Sequence, residues 1–98
     1  MTDVDGQIRV TDNPLGHRYE VWLGDRLVGV SQYTLADDRI VFVHTEIDAE
    51  VEGLGIGSRL AKGALDDVRR RGLRLVAECP FIAGWLKRHA DYADLVAD

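Results

Sequence analysis

The chain has 98 residues, of which 46% are hydrophobic and 30% charged, and its formal net charge is −5. This predicts a single domain over residues 1–98, and the acidic balance argues against general nucleic-acid binding, which needs a positive field. No apolar run approaches the roughly 20 residues of a membrane span, and the first ten residues lack the apolar segment of a signal peptide. A single cysteine, Cys79, cannot form an internal disulfide. It is typical of a reducing compartment, so we expect a cytoplasmic protein with no membrane partner.

The first half of the chain has the patterns of β-strands. Four segments with alternating or β-branched residues lie between turn signals, at positions 7–11, 18–23, 26–35 and 39–47. The connections are short, as at Gly24-Asp25, and therefore predict antiparallel neighbours. The fourth segment is apolar on both faces from Ile40 to Val43, which is typical of a strand inside a sheet.

The pattern changes to a helical period after Ile47. Apolar residues three and four positions apart predict one amphipathic helix: Leu60, Ala61, Ala64, Leu65 and Val68. The helix should start near Gly57 or Ser58. Arginines at 69–71 occupy its last turn, where positive charge suits the helix dipole, and Gly72 is the expected stop.

The remaining chain predicts a fifth strand over 73–79, ended by Pro80, and a short helix over 81–89. Three apolar residues of the tail are expected to pack back on the core: Tyr92, Leu95 and Val96. Because a helical crossover joins the fourth and fifth strands, these two should be parallel. The predicted fold class is therefore α/β (α+β), with a mixed antiparallel and parallel sheet, one crossover helix and a short C-terminal helix.

The stretch EGLGIGSRL, from Glu52 to Leu60, places three glycines between a strand and a helix start. The first N–H groups of a helix lack intrahelical acceptors and lie at the positive end of its dipole. This setting therefore favours the binding of a phosphate. Ser58 could add a hydroxyl donor. The loop lacks the lysine of a Walker A loop and the third glycine spacing of a dinucleotide fingerprint. A glycine-rich connector without a ligand explains the three glycines equally well.

EGLGIGSRLAKGAL resembles the acyl-CoA-binding loop of the GCN5-related N-acetyltransferases (GNATs), whose pattern is Gln/Arg-x-x-Gly-x-Gly/Ala. The segments VHTEID, ECPF and HADYADLV extend the resemblance, from about Arg18 to Val96, to the small single-domain branch of that family. The resemblance implies a splay between strands four and five, into which the pantetheine arm of acetyl-CoA inserts.

The resemblance also implies which residues bind the coenzyme, with the pyrophosphate on the loop 52–58: Ile47, Glu52, Gly53, Leu54, Gly55, Ile56, Gly57 and Ser58. Two of these depart from the family pattern. Glu52 stands where relatives carry Gln or Arg, and Leu54 where many carry a basic residue. We therefore expect weakened rather than absent coenzyme binding.

Three residues are candidates for the chemistry of acetyl transfer, which needs a deprotonated amine and a proton for the leaving thiolate. Cys79, predicted to end the fifth strand at the splay, could accept the acetyl group itself. His44, four residues after Ile40, could act as base or pair with Cys79 across the parallel strands, and Glu46 shares its strand face by period two. A buried small cysteine, a structural histidine and a solvated glutamate explain the same residues without catalysis.

The last predicted helix carries three further residues of interest. Trp85 is expected to pack in the core, and Lys87 and Arg88 could meet the phosphates of coenzyme A, although a solvated helix face explains them as well.

The sequence therefore indicates an N-acetyltransferase that moves an acetyl group from acetyl-CoA to an amine, without a metal. The acidic charge favours a cationic acceptor. An acyl-CoA-binding module with little catalysis, or an interaction domain that has lost the ligand, are the alternatives.

Overall fold

A computed structural model describes residues 7–97. Its strands, in chain order, are β1 Ile8–Asn13, β2 Arg18–Leu23, β3 Arg26–Ala36, β4 Arg39–Ile47 and β5 Arg74–Ala77. Its α-helices are α1 Ile56–Arg70 and α2 Pro80–Arg88. Two short 3-10 helices, Ala49–Val51 and Ala90–Leu95, precede α1 and follow α2.

The strands form a single five-stranded sheet in the order β1-β2-β3-β4-β5. Neighbours from β1 to β4 are antiparallel because tight turns join them, and β4 pairs with β5 in parallel through the crossover helix α1. The predicted mixed sheet, crossover helix and C-terminal helix are therefore confirmed.

Helix α1 packs its apolar stripe on one face of the sheet. All five residues of the predicted stripe are buried, together with Ile56 from the first turn. The strands contribute fully buried aromatic and aliphatic side chains to the same core: Tyr19, Tyr33, Phe42, Ile40 and Val21. Each aliphatic side chain buried here contributes about 1.5–3 kcal/mol to folding. No helix within residues 7–97 combines the length and apolar character needed to cross a membrane.

A β-bulge at Val43 changes which residues of β4 face α1. Gln32 and Tyr33 are consecutive on β3, but they pair with His44 and Phe42, so Val43 is an extra residue on β4. Before the bulge, Phe42 faces α1 and is fully buried. After it, Thr45 takes the inward direction and His44 turns to the opposite, exposed face.

The two parallel strands separate after a short pairing. Their register ends at Phe42 and Ala77, whereas β4 continues to Ile47. The N–H groups of Glu78 and Cys79 both donate to the carbonyl of Phe42, at 3.0 and 2.9 Å, which turns the chain out of the ladder. The splay that the resemblance implied is present at this point.

Two expected element ends and one expected packing contact need correction. Strand β5 stops at Ala77, so Cys79 does not end a strand; it is the residue that caps α2, and Pro80 occupies the first helical position, where its missing N–H is tolerated. Helix α1 begins at Ile56, slightly earlier than expected. Val96 is 37% exposed, and it reaches the sheet through a backbone bridge to Leu75 rather than through its side chain.

Candidate functional site

A cleft of about 480 Å³ opens where β4 and β5 separate. Its walls are the end of β4, the N-terminal turn of α1 with its preceding loop, and one face of α2. Its lining residues are Thr45, Ile47, Val51, Glu52, Gly53, Gly55, Ile56, Gly57, Ser58, Phe81, Trp85 and Arg88. Seven of the eight residues expected to bind the coenzyme therefore line this one cleft. The exception, Leu54, is 48% exposed and lies outside the lining.

Two of the loop glycines are required by backbone conformation. Gly53 and Gly55 have φ values of +87° and +74°, a region that side chains with a Cβ rarely adopt. A Cβ at either position would meet no atom within 4 Å, so space is not the constraint. Gly55 also caps α1, and it offers no side-chain acceptor to the helix. The first N–H groups of α1 are thus left without a partner from a capping side chain.

The third glycine, Gly57, serves a packing contact instead. A Cβ at this position would lie 2.8 Å from Cζ of Phe81 and 3.2 Å from its Cε1. Gly57 therefore allows α2 to approach the first turn of α1, and Phe81 lines the cleft as a result. The sequence pattern had suggested that all three glycines make room for a ligand.

Helix α2 supplies one face of the cleft through residues at positions i, i+4 and i+7. Phe81, Trp85 and Arg88 all line it, whereas Lys87 is exposed and does not. Trp85 is buried, as expected, but its indole edge also belongs to the cleft. The helical spacing of these three residues is the sequence signal that could have identified this face.

The indole of Trp85 is held from several sides. Its Nε1–H donates to Oγ of Ser58 at 3.0 Å. The ring of His89 stacks on it with centroids 3.7 Å apart, and Tyr92 approaches edge-on at 5.0 Å. The Tyr92 hydroxyl in turn donates to Asp66 on α1 at 2.6 Å. Helix α2 and the tail are thereby fixed to α1 at two points, Ser58 and Asp66.

Cys79 lies behind the cleft rather than in its lining. Its side chain is buried at 2% exposure, and Sγ lies 3.2 Å from Oγ1 of Thr45. Thr45 Oγ1 is also 2.9 Å from Oγ of the fully buried Ser31. Three hydroxyl and thiol groups therefore form a continuous chain, of which Thr45 is the member that reaches the cleft.

His44 and Cys79 do not form the pair that their sequence positions suggested. The bulge at Val43 turns His44 to the open face of the sheet. Thr45, rather than His44, therefore lies beside the sulfur of Cys79. On the open face, Nε2 of His44 lies 3.0 Å from Oε1 of Glu46. The expected proximity of these two side chains is confirmed, on the face opposite to Cys79.

A larger cavity, of about 630 Å³, lies at the other end of α1. Here the hydroxyl of Tyr19 donates to Asp67 at 2.7 Å and accepts from Arg71 at 3.2 Å. Arg71 also contacts Asp12 at 3.3 Å, and Asp12 accepts from the Tyr33 hydroxyl at 2.6 Å. Every one of these groups has a partner.

The pKa values at this end follow from burial and the hydrogen bonds. Burial, with the bond to Asp12, raises the pKa of Tyr33 to about 12. Burial and the bond to Asp67 likewise raise the pKa of Tyr19. Burial alone would raise the pKa of Asp67, but the hydrogen bonds from Tyr19 and Arg70 outweigh it and lower that pKa.

No group of three or more acidic, histidine or cysteine side chains within residues 7–97 is arranged to hold a metal ion.

A mixed sheet with splayed parallel strands, and a glycine loop at the start of the crossover helix, define the class of protein. The chain matches the sequence model of the GCN5-related N-acetyl-transferases over residues 18–95. The chain belongs to that family, as the loop and its companion segments indicated.

The fold is similar to the NMR solution structure of a GCN5-like protein from Staphylococcus aureus, whose given name proposes N-acetyltransferase activity. The TM-score is 0.70 at 22% identity, and the match covers 93% of this chain and 89% of the other. At this identity the likeness shows the fold. No protein of curated function matches this chain in sequence.

Proposed function

We propose that the chain transfers an acetyl group from acetyl-CoA to an amine, and that the loop 52–58 holds the pyrophosphate. The observation that carries this proposal is the cleft at the splay. Its wall contains the N-terminal turn of a 15-residue helix whose cap, Gly55, provides no side-chain acceptor. Unpartnered N–H groups at the positive end of a helix dipole are suited to a phosphate.

The cleft has further groups that match the coenzyme. Ser58 offers a hydroxyl and Arg88 a guanidinium to phosphate oxygens. The apolar lining by Ile47 and Phe81 suits the pantetheine arm. After Phe42, β4 has no ladder partner from β5, so its edge is available to the amide groups of that arm.

The chemistry favoured by the geometry is direct transfer. The amine nitrogen attacks the thioester carbonyl and loses its proton to a base, the carbon–sulfur bond breaks, and the coenzyme leaves as a thiol after it takes up a proton. His44 is exposed on the open face of the sheet with Nε2 3.0 Å from Glu46, and we assign it as the base on the ground of this accessibility. Cys79, at 2% exposure, is less accessible as an acceptor of the acetyl group.

Calorimetry with acetyl-CoA tests the binding half of the proposal. Gly55→Val should abolish most of the affinity, because it forces the capping residue out of its φ of +74°. Gly72→Val is the matched control. It has a similar φ of +71° with nothing within 4 Å, but it lies at the far end of α1. If both variants bind like the parent, the loop is a connector and the proposal fails.

Thiol release from acetyl-CoA with a panel of amines tests the transfer half. Polyamines and lysine peptides belong in the panel, because the protein is acidic. His44→Gln should lower the rate and Cys79→Ala should leave it nearly unchanged; the reverse result would favour an acetyl-cysteine intermediate. Binding without release with any amine would leave the chain as an acyl-CoA-binding module.

A further inference from the structure

We propose that Trp85 is a positioning residue for the phosphate groups of the coenzyme, because its indole N–H orients the hydroxyl of Ser58. The inference rests on the proposed function, since it concerns the same cleft. It adds a residue of α2 to a site that the sequence pattern located on the loop and on α1.

The direction of the Ser58 proton follows from one hydrogen bond. A serine hydroxyl has one proton to donate and two lone pairs to accept. One lone pair accepts the Trp85 indole N–H, at 3.0 Å between Nε1 and Oγ. No hydrogen bond found within residues 7–97 uses the proton of the Ser58 hydroxyl. The proton is therefore available to an anion at the same helix turn whose backbone N–H groups lack intrahelical acceptors.

The indole is itself rigid, which makes the orientation of Ser58 fixed before a ligand arrives. Trp85 is 1% exposed, with the His89 ring stacked on one face at 12°. Tyr92 packs edge-on and is tied to Asp66 of α1. A group that is ordered in advance loses less entropy when it binds, so the hydroxyl should contribute more to affinity than a freely rotating one.

A simpler account gives Ser58 no ligand role. A buried indole N–H needs a hydrogen-bond acceptor. In this account Ser58 only supplies that acceptor and so stabilises the packing of Trp85. The two accounts differ in what they predict for ligands with and without phosphate groups. A packing role changes the affinity of both kinds of ligand together, whereas a positioning role changes the affinity of the phosphate-bearing ligand alone.

The test measures dissociation constants for coenzyme A and for pantetheine, which lacks the nucleotide and all phosphates, by NMR titration. Trp85→Phe keeps an aromatic ring and removes the N–H. It should weaken coenzyme A binding about threefold to tenfold and leave pantetheine binding unchanged. Ser58→Ala should weaken coenzyme A about tenfold or more, since a hydrogen bond to a charged group is lost. Trp22→Phe, on the half-buried tryptophan of β2 outside the cleft, is the control and should change neither.

The double variant decides whether the two residues act as one unit. In the Ser58→Ala background, Trp85→Phe should cause no further loss. Additive losses, or equal weakening of both ligands, would overturn the positioning role. If Trp85→Phe does not fold, an unchanged ratio of the two affinities in Ser58→Ala overturns it alone. Failure of the parent protein to bind coenzyme A would instead remove the proposed function.

Discussion

The two ends of helix α1 each border a cavity, but their polar groups are arranged in opposite ways. At the C-terminal end, Arg69 binds Asp94, and Arg71 joins Asp12 and Tyr19. At the N-terminal end, the cap is a glycine without a side-chain acceptor. The larger cavity therefore has its charges matched within the protein, and the smaller one has helix N–H groups without intrahelical acceptors.

This difference distinguishes the two cavities by the state of their polar groups rather than by their volume. A network whose members are already satisfied gains little from a ligand and stabilises the fold instead. Within residues 7–97 no buried side-chain nitrogen or oxygen lacks a hydrogen-bond partner, so the unmatched groups are those of the helix backbone. We expect substitutions at the C-terminal end to affect stability and substitutions at the N-terminal end to affect coenzyme binding.

The largest effect is expected for Asp67→Ala at the C-terminal end. It leaves the Tyr19 hydroxyl without its acceptor and removes partners of Arg70 and Arg71. The free energy of unfolding should fall by about 2–3 kcal/mol, as measured in urea. The affinity for acetyl-CoA should stay within twofold of the parent. A loss of affinity as large as that of Gly55→Val would break the separation between the two ends.

Two glycine substitutions on α1 provide a closer comparison. Gly57→Ala brings a Cβ to 2.8 Å from Phe81, and Gly63→Ala brings one to 2.7 Å from Val10. Both should lower stability by about 1–3 kcal/mol through overpacking. Gly57→Ala alone should also weaken acetyl-CoA binding, by about tenfold, because the displaced ring lines the cleft. Equal affinities of the two variants in calorimetry would contradict the assignment of the cleft.

The pH dependence of stability should also come from the C-terminal end. The pKa of Asp67 is lowered from its ordinary 3.8, so its ionised form stabilises the fold above that value. This contribution is lost as the pH falls through 3.8 and below it. In Asp67→Asn, unfolding free energies from pH 6 to pH 2 should therefore decline less steeply than in the parent.

Tyr19→Phe removes the main hydrogen-bond donor to that carboxylate and should flatten the same part of the curve. An unchanged slope in both variants would mean that other carboxylates carry the acid sensitivity.

The smallest effect is expected for Glu52→Gln at the N-terminal end. Glu52 is an exposed carboxylate in the lining of the cleft, where its charge would repel the phosphate of the proposed ligand. Its neutralisation should tighten acetyl-CoA binding about twofold to threefold at low salt, and the gain should fade as salt screens the charge. Glu78→Gln, an exposed glutamate outside the lining, should have no such effect. Weaker binding of Glu52→Gln would indicate that Glu52 contacts a donor of the ligand.

The strand order and the crossover helix could be predicted because local signals agree with each other. Turn residues at Gly24 and Asp25 fix a hairpin. The apolar residues of α1 form one stripe, so only one face of the helix can pack on the sheet. The position of the glycine loop between a strand and a helix could also be predicted, but not the separate roles of its glycines: Gly53 and Gly55 have positive φ values, whereas Gly57 makes room for Phe81.

Which residues of β4 face α1 could not be predicted. Val41 and Val43 are as apolar as Ile40 and Phe42, so the sequence alternation does not reveal which residues face α1. A bulge moves every later side chain to the other face, and it depends on pairing with β3 rather than on a local motif. This is why His44 was expected beside Cys79, and why Thr45 was not considered.

The contribution of Phe81 and Trp85 to the cleft was also missed, for a different reason. Trp85 is both buried and part of the lining, and an aromatic residue at helical spacing is more often core than ligand contact. Its second role depends on the distance to Ser58, which no sequence spacing encodes across 27 positions.

The single extra residue at Val43 has a consequence for protein engineering. A designer who copies the segment VHTE onto a regular strand, directly after an inward-facing residue, would deliver the threonine to solvent and the imidazole to the interior. Deleting Val43 from this chain would instead remove the bulge and leave Thr45 facing inward. The identity of the side chain beside the sulfur is therefore controlled by the bulge, and homologous motifs should be aligned by their bulges before their residues are compared.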